Sequence, residues 1–266
     1  MKKRIVFSIL ILFATSLVFS AFKYLQNGDY AKSQLVKIDK NRIYKDYPKH
    51  DLDGQVVEYS GFTLKYVEKF EQSEWVMYLL TRNMVAETVA KRSNNFRPDP
   101  NISTYSATPA DYKGSGYDKG HLCPAGDMRW SAQAMSETFF MSNMSPQKPA
   151  FNRGIWKHLE EKVREWATNN DSIVVISGPV LKDGLNTIGT KNKVSVPLLY
   201  YKVIADISYP TYKTIAFVMK NEGYDKSIYD FAVSVDSVEH LTGMDFFPNI
   251  KQMKPLEKSF DINLWK

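Results

Sequence analysis

Short apolar runs separated by polar punctuation recur along most of the chain. Phe62–Val67, Trp75–Leu80, Ile173–Ile176, Leu198–Ala205 and Thr214–Met219 are alternating or continuous apolar segments rich in aromatic and β-branched residues. Each is bounded by Gly, Pro, Asn or Asp, so each reads as a strand. Two stretches carry helical spacing instead. Ile155, Leu159, Val163 and Trp166 predict a helix over about Asn152–Ala167 with one buried face. A shorter helix is expected over Ser237–Leu241, with Asp236 as its N-cap and Gly243 as its stop. No internal repeat and no Pro- or Gly-rich linker breaks residues 56–266. Strands and helices segregate along the chain, which predicts one α+β domain.

The N-terminus follows a different pattern. Lys2, Lys3 and Arg4 precede Ile5–Phe22, an uncharged run of 18 residues ended by Lys23. A basic start, an apolar middle and small residues at Ser20 and Ala21 read as an export signal, and the length also suits an uncleaved N-terminal membrane anchor. Both readings place the following domain outside the cytoplasm: periplasmic, extracellular, or anchored to the membrane facing outward. Residues 23–55 are polar, mixed in charge and without a period, and read as a tether into the domain at 56–266.

Composition narrows the chemistry. With 44% apolar and 24% charged residues, the chain is globular and not disordered or low-complexity. One cysteine excludes an internal disulfide, and four widely spaced histidines do not build a structural zinc site. The net charge of +6 suggests a polyanionic partner. Residues 1–21 hold three positive charges and no negative ones, so the remainder carries only +3. The case for such a partner therefore rests on particular residues.

Those residues follow an irregular segment. Arg92–Tyr117 is 26 residues of mostly Asn, Ser, Pro, Asp, Gly and Thr, longer than loops usually run in a compact domain unless they carry function. It leads into Asp118-Lys119-Gly120-His121-Leu122-Cys123-Pro124, then Asn143-Met144-Ser145-Pro146-Gln147, then Asn152-Arg153-Gly154-Ile155-Trp156-Lys157-His158-Leu159-Glu160. Taken singly, Asn152 is most simply a helix cap, Glu160 a solvated helix charge, and Cys123 a small buried residue. His50, His158 and His240 lack comparable neighbours and read as structural or surface residues.

Together these motifs resemble the signature of the DNA/RNA non-specific endonucleases, the family of secreted bacterial nucleases and mitochondrial endonuclease G. The resemblance continues through Val174–Pro179, Val196-Pro197 with Tyr201–Ile204, and Leu241–Phe247, covering roughly residues 58–250. It implies a ββα-metal nuclease fold, a mainly antiparallel sheet with packed helices. It also implies hydrolysis of DNA and RNA with little base readout, 5′-phosphate and 3′-hydroxyl ends, and Mg²⁺ as cofactor with Mn²⁺ as an alternative. Dimers occur in the family, which leaves a homodimer open. One departure stands out: the family commonly carries Arg where this chain has Lys119, and a compact ammonium does not replace a bidentate guanidinium on phosphate.

The chemistry explains the residue types. Phosphodiester hydrolysis needs an activated water, and a neutral histidine such as His121 suits a general base. A divalent cation offsets charge on the phosphate and leaving oxygen, and Mg²⁺ favours oxygen donors such as the Asn152 amide. The resemblance gives both residues these same roles. Glu160 follows Asn152 by eight residues, about 12 Å of helical rise, so it fits better ordering a metal-bound water than binding the same ion. Asn143 and Gln147 are candidates for bonding metal waters or the backbone near His121. Arg92 is the first candidate for a phosphate-stabilising arginine, in competition with Arg97, Arg129 and Arg153. Asp118 and Lys119 are expected to support the site. The competing reading, a nucleic-acid-binding module with a dead active site, predicts a missing base or ligand, whereas His121, Asn152 and Glu160 are all present.

Overall fold

The computed structural model describes residues 45–208 and 212–266. The leader expected over 1–22, whether signal or anchor, and residues 23–44 of the tether lie outside them. Among the described residues eleven strands occur in chain order: β1 (Gln55–Glu58), β2 (Thr63–Val67), β3 (Gln72–Thr81), β4 (Asp118–His121), β5 (Met144–Gln147), β6 (Ser172–Pro179), β7 (Thr187–Ile188), β8 (Val194–Ser195), β9 (Leu199–Asp206), β10 (Lys213–Lys220) and β11 (Ala232–Val233). The helices are α1 (Arg82–Ala86), α2 (Pro109–Tyr112), α3 (Ala132–Glu137), α4 (Pro149–Asn152), α5 (Ile155–Asn169), α6 (Val235–Thr242) and α7 (Lys254–Glu257). No helix among the described residues is long and apolar enough to cross a membrane.

The five runs that read as strands form β2, β3, β6, β9 and β10 of a seven-stranded antiparallel sheet, in the order β1-β2-β3-β6-β9-β10-β11. The fold is α+β. Side chains alternate across a strand, so register decides which rows share a face. Tyr78, Val175, Ile204 and Ile215 lie in one row, and Val76, Ser177, Lys202 and Phe217 in the next. Helix α5 packs on this face through Ile155, Trp156, Leu159, Val163 and Trp166, with the Trp166 ring stacked 5.9 Å from Phe217. Each such aliphatic side chain contributes about 1.5–3 kcal/mol when fully buried. The opposite face receives the C-terminal segment: Phe246 sits edge-to-face on Tyr201 at 5.6 Å, and Thr214 donates to the Leu256 carbonyl at 2.6 Å.

Two helices differ from the periodicity reading. The one expected from Asn152 is two helices, α4 ending at Asn152 and α5 starting at Ile155. The break lies at Gly154, where a Cβ would come within 2.4 Å of the Ala150 carbonyl oxygen. The short C-terminal helix is capped by Ser234, whose hydroxyl accepts from the Ser237 amide. Asp236 falls instead in its first turn, and Gly243 closes it at φ 79°. Within 92–117, residues Pro109–Tyr112 form α2 behind a Thr108–Asp111 capping box. Residues 45–50 are fastened to the domain: Lys49 pairs with Asp245 through both backbone bonds, Asn249 donates to Asp46 at 2.7 Å, and His50 meets Glu74.

The constellation is built by β4, β5 and the helices that follow. These two strands pair only with each other, Asp118 opposite Gln147 and His121 opposite Met144, and lead into α4 and α5 as a strand–strand–helix unit.

Candidate active site

A cleft of about 420 Å³ opens on that unit, lined by Arg92, Lys119, His121, Pro124, Ala125, Gly126, Asn152, Arg153, Lys157, Glu160 and Arg164. Five Lys or Arg side chains line it with Glu160; Arg153 and Arg164 are paired with Asp118 and Asp127, so Arg92, Lys119 and Lys157 are the cations that draw anions in. His121, Glu160, Arg92, Asn152, Lys119 and Arg153 of the expected site are thereby brought together, with Asp118 directly behind them.

His121 is buried against aromatic rings. Phe139 meets the imidazole edge-to-face at 4.9 Å and Phe96 lies at 5.8 Å. Its Nε2 is buried without a hydrogen-bond partner, and no carboxylate pairs with the ring among the described residues. Burial, with the Arg92 charge adding to it, pulls the imidazole down from 6.5 to about 3, so the ring is neutral at ambient pH. Asn143 fixes the chain beyond it. Fully buried, it accepts from the Cys123 amide at 2.8 Å and donates to the Cys123 and Thr138 carbonyls at 2.9 and 2.8 Å. Of the two roles expected for Asn143, the backbone one is formed. Gln147 is buried, its amide has no partner, and it is not among the cleft-lining residues. It packs against Gly120, where a Cβ would stand 2.2 Å from the Gln147 amide carbon.

Asp118 acts as a clamp. One carboxylate oxygen accepts from Asn152 Nδ2 at 2.9 Å and Arg153 Nε at 2.8 Å, the other from Arg153 Nη2 at 2.6 Å. Burial favours the neutral acid, but hydrogen bonds from Arg153 and Asn152, with the Arg153 and Lys119 charges, hold the Asp118 carboxyl below its usual range. The clamp occupies the Asn152 amide nitrogen and leaves Oδ1 without a donor among the described residues. That is the donor chemistry a hard divalent cation uses.

The competing arginines separate. Arg92 lies in the cleft with its guanidinium 4.9 Å from the Phe139 ring centre. Arg97 stacks at 4.0 Å on Phe140 and donates to the Ser136 carbonyl at 2.9 Å, outside the cleft lining. Arg129 is also outside the lining. Arg153 is committed to Asp118. Lys119, at the family's usual arginine position, rests its ammonium 4.9 Å from the Phe96 ring.

Glu160 connects the cleft to a charged network under the helix. It follows Trp156 by one turn, on the side of α5 that faces the sheet, and forms no side-chain hydrogen bond among the described residues. Lys202, fully buried in the middle of β9, lies 4.6 Å from the Trp156 ring and donates to Ser177 at 3.1 Å. Asp127, also buried, accepts from Arg164 at 2.7 Å and Tyr78 at 2.8 Å. Burial pushes the Glu160 carboxyl up to about 7, against the pull of Lys202, Arg164 and Arg92 and with the push of Asp127. Sequence reasoning assigned no role to Lys202, Asp127, Arg164 or Phe139. The one available signal was Lys202, a charge inside an otherwise apolar strand.

A second carboxylate group, Asp236, Glu239 and Glu257, lies on α6 and α7 and shares no residue with the cleft. Lys254 pairs with one of the three, 3.2 Å from Glu257.

Comparison with known proteins bears on the family and the fold. Residues 39–253 match the family model for DNA/RNA non-specific endonucleases. The mitochondrial nuclease EXOG of Xenopus laevis is 32% identical over 221 residues, covering 77% of this chain and 62% of that protein. Human mitochondrial endonuclease G is 34% identical over 218 residues, covering 76% and 73%. The crystal structure of the EndoG/EndoGI complex superposes with a TM-score of 0.72 at 32% identity, over 80% of this chain and 92% of that one. The chain thus spans about three-fifths of the length of the EXOG relatives it matches. EXOG and endonuclease G are mitochondrial by name, which overturns the expectation of an exported, periplasmic, extracellular or outward-anchored protein. The expectation rested on the apolar run at the N-terminus, which lies outside the described residues. By its motifs, its strand–strand–helix unit and these matches, the chain belongs to the DNA/RNA non-specific endonuclease family.

Proposed function

We propose that this protein is a metal-dependent endonuclease that hydrolyses phosphodiester bonds of DNA and RNA with little sequence specificity. The observation that carries the reading is the Asp118 clamp, which turns the Asn152 amide oxygen toward a cationic cleft beside a neutral imidazole.

Asn152 would hold Mg²⁺, or Mn²⁺, through Oδ1, an oxygen donor of the kind these ions prefer. The bound cation supplies Lewis acidity toward the phosphate and the 3′ leaving oxygen. Arg92 draws the phosphodiester into the cleft, and Lys119 and Lys157 extend the cationic wall. His121 takes the proton from the attacking water; its two aromatic neighbours hold the ring at a fixed tilt, so little reorientation is needed when water arrives. An anionic phosphate near the imidazole opposes the effect of Arg92 and raises its basicity toward the working range. Glu160, whose carboxylate has no hydrogen-bond donor among the described residues, would order water in the cleft beside Asn152. The products carry 5′-phosphate and 3′-hydroxyl ends. Because contacts are to phosphates and not to base edges, cleavage weakens steeply with salt and weakly with sequence.

The test is digestion of plasmid and RNA by the full chain, with Mg²⁺ and with EDTA, beside His121→Ala. Cleavage that stops in EDTA and falls by about 10²–10⁴ in the alanine variant is expected for loss of a general base. Persistent cleavage by His121→Ala refutes the assigned base, and cleavage in EDTA refutes the cation.

A further inference from the structure

Beside the cleft lies a recess of about 480 Å³ that the hydrolysis described above does not use. We propose that it is a second substrate subsite, taking an unpaired nucleobase of the bound strand while lysines on its rim hold the neighbouring phosphates. This deepens the nuclease reading and rests on it.

Three observations carry the proposal. The recess is apolar where a globular surface is ordinarily polar: Val180, Val196 and Leu199 form its floor, and Leu198 and Leu241 stand 59% and 40% exposed at its mouth. Exposed leucines scattered singly need no explanation, but two around one concavity mark a binding surface. The rim is cationic, with Lys148, Lys182 and Lys220 against Glu222. An apolar floor ringed by cations matches a strand of nucleic acid, whose bases are flat and apolar on their faces and whose backbone carries an anion at every step.

The third observation is continuity with the active site. Tyr117 and Lys148 both line the recess, and they immediately flank Asp118 and Gln147, the paired ends of β4 and β5. Asp118 in turn holds Asn152 in the cleft. Buried Asn221 locks this junction: it accepts from the Lys148 amide at 2.8 Å and donates to the Pro146 and Pro197 carbonyls at 2.9 and 3.1 Å. Recess and cleft therefore meet at one rigid hairpin end. A strand whose phosphate is at Asn152 presents a nearby base to the recess. In a duplex that base is stacked and paired, and entry requires extruding it; in a single strand or at a frayed end it is free. The subsite therefore favours unpaired substrate over blunt duplex.

The experiment measures fluorescence anisotropy with a labelled single-stranded oligonucleotide and with a blunt duplex of the same sequence, in Mg²⁺. The full chain carries His121→Ala throughout to prevent cleavage. Leu198→Asp places a charge at the apolar mouth, and a Lys182→Ala/Lys220→Ala pair removes rim cations without touching the floor; both change exposed side chains. Each is expected to weaken single-strand binding tenfold or more and duplex binding less than threefold. Equal losses on both polymers, or no loss on either, overturn the subsite. A shift in sedimentation of Leu198→Asp with single-strand binding unchanged also overturns it, assigning the recess to a protein partner. The nuclease reading is checked separately: the chain with His121 intact, carrying Leu198→Asp, should still cut duplex plasmid. If the parent chain cuts no polymer, the nuclease reading fails; if it cuts while the variants bind like the parent, only the subsite fails.

Discussion

Replacing Asn143 by alanine should damage both the fold and the chemistry, in amounts the structure sets. The side chain is fully buried and makes three hydrogen bonds to backbone, one to the Cys123 amide, one to the Cys123 carbonyl and one to the Thr138 carbonyl. At about 1 kcal/mol net for each, the loss is about 3 kcal/mol, and more if the three backbone groups stay unpaired and dry. For a domain of this size that lowers Tm by roughly 6–12 °C. Cys123 is two residues beyond His121, so slackening here moves the imidazole, and a displacement near 1 Å costs on the order of 10²-fold in rate. The assay pairs thermal unfolding by circular dichroism with kcat/KM on plasmid well below Tm. Asn143→Asp sharpens it: one oxygen still accepts from the Cys123 amide, but the other faces two carbonyl oxygens, so this variant should be less stable than the alanine one. An unchanged Tm refutes the accounting. A lowered Tm with normal kcat/KM leaves Asn143 in the fold and refutes its role in positioning His121.

Other consequences are as direct. Lys202→Met removes a buried countercharge from Glu160, whose carboxyl is raised to about 7, so the acid limb of kcat/KM should move to higher pH; an unmoved limb refutes the coupling. Arg92→Ala should lower kcat/KM by about 10²–10³ while Arg92→Lys, keeping the charge but not the planar fork, loses less; equal losses would show that charge is not what Arg92 supplies. Asp118→Asn should raise the Mg²⁺ concentration needed for half-maximal cleavage, because the amide of Asn152 loses its anionic clamp. The same substitution should change acid stability. The Asp118 carboxyl is depressed in the fold, so its stabilisation is present above the unfolded value and is lost as pH falls through the folded one. Below about pH 4 the parent should lose more stability than Asp118→Asn, measured as Tm against pH.

What could be read from the linear chain was whatever depends on local periodicity or on an uninterrupted motif. Trp75–Leu80 and Ile173–Ile176 identify themselves as strands because β-branched and aromatic residues run without a helical period, and they are the neighbours β3 and β6 in the sheet. The constellation at 118–160 was legible because its residues are grouped in three short motifs. The split at Gly154 was less so: Ile155 to Trp166 keeps helical spacing, and only the approach of the Ala150 carbonyl makes the glycine break necessary. Arg92 was already the first candidate in the sequence, but its separation from Arg97 and Arg129 needed the tertiary structure, since an arginine in an irregular segment has no local signature of where it points.

By itself, the sequence determined five of the sheet's strands and the apolar face of the helix from Ile155 to Trp166, because these follow from spacing within a few residues. The motifs at 118–160 carried the resemblance to the family and named His121, Asn152 and Glu160 as candidates. Only the tertiary structure decided the state and aim of those groups. Two aromatic rings and Arg92, brought from segments far apart in the chain, keep His121 neutral. Asp118, 34 residues before Asn152, turns its amide. Lys202, in register with Ser177 across the sheet, sets the charge beneath Glu160. Burial and long-range charge act through space, and no periodicity along a chain encodes which distant side chain will arrive.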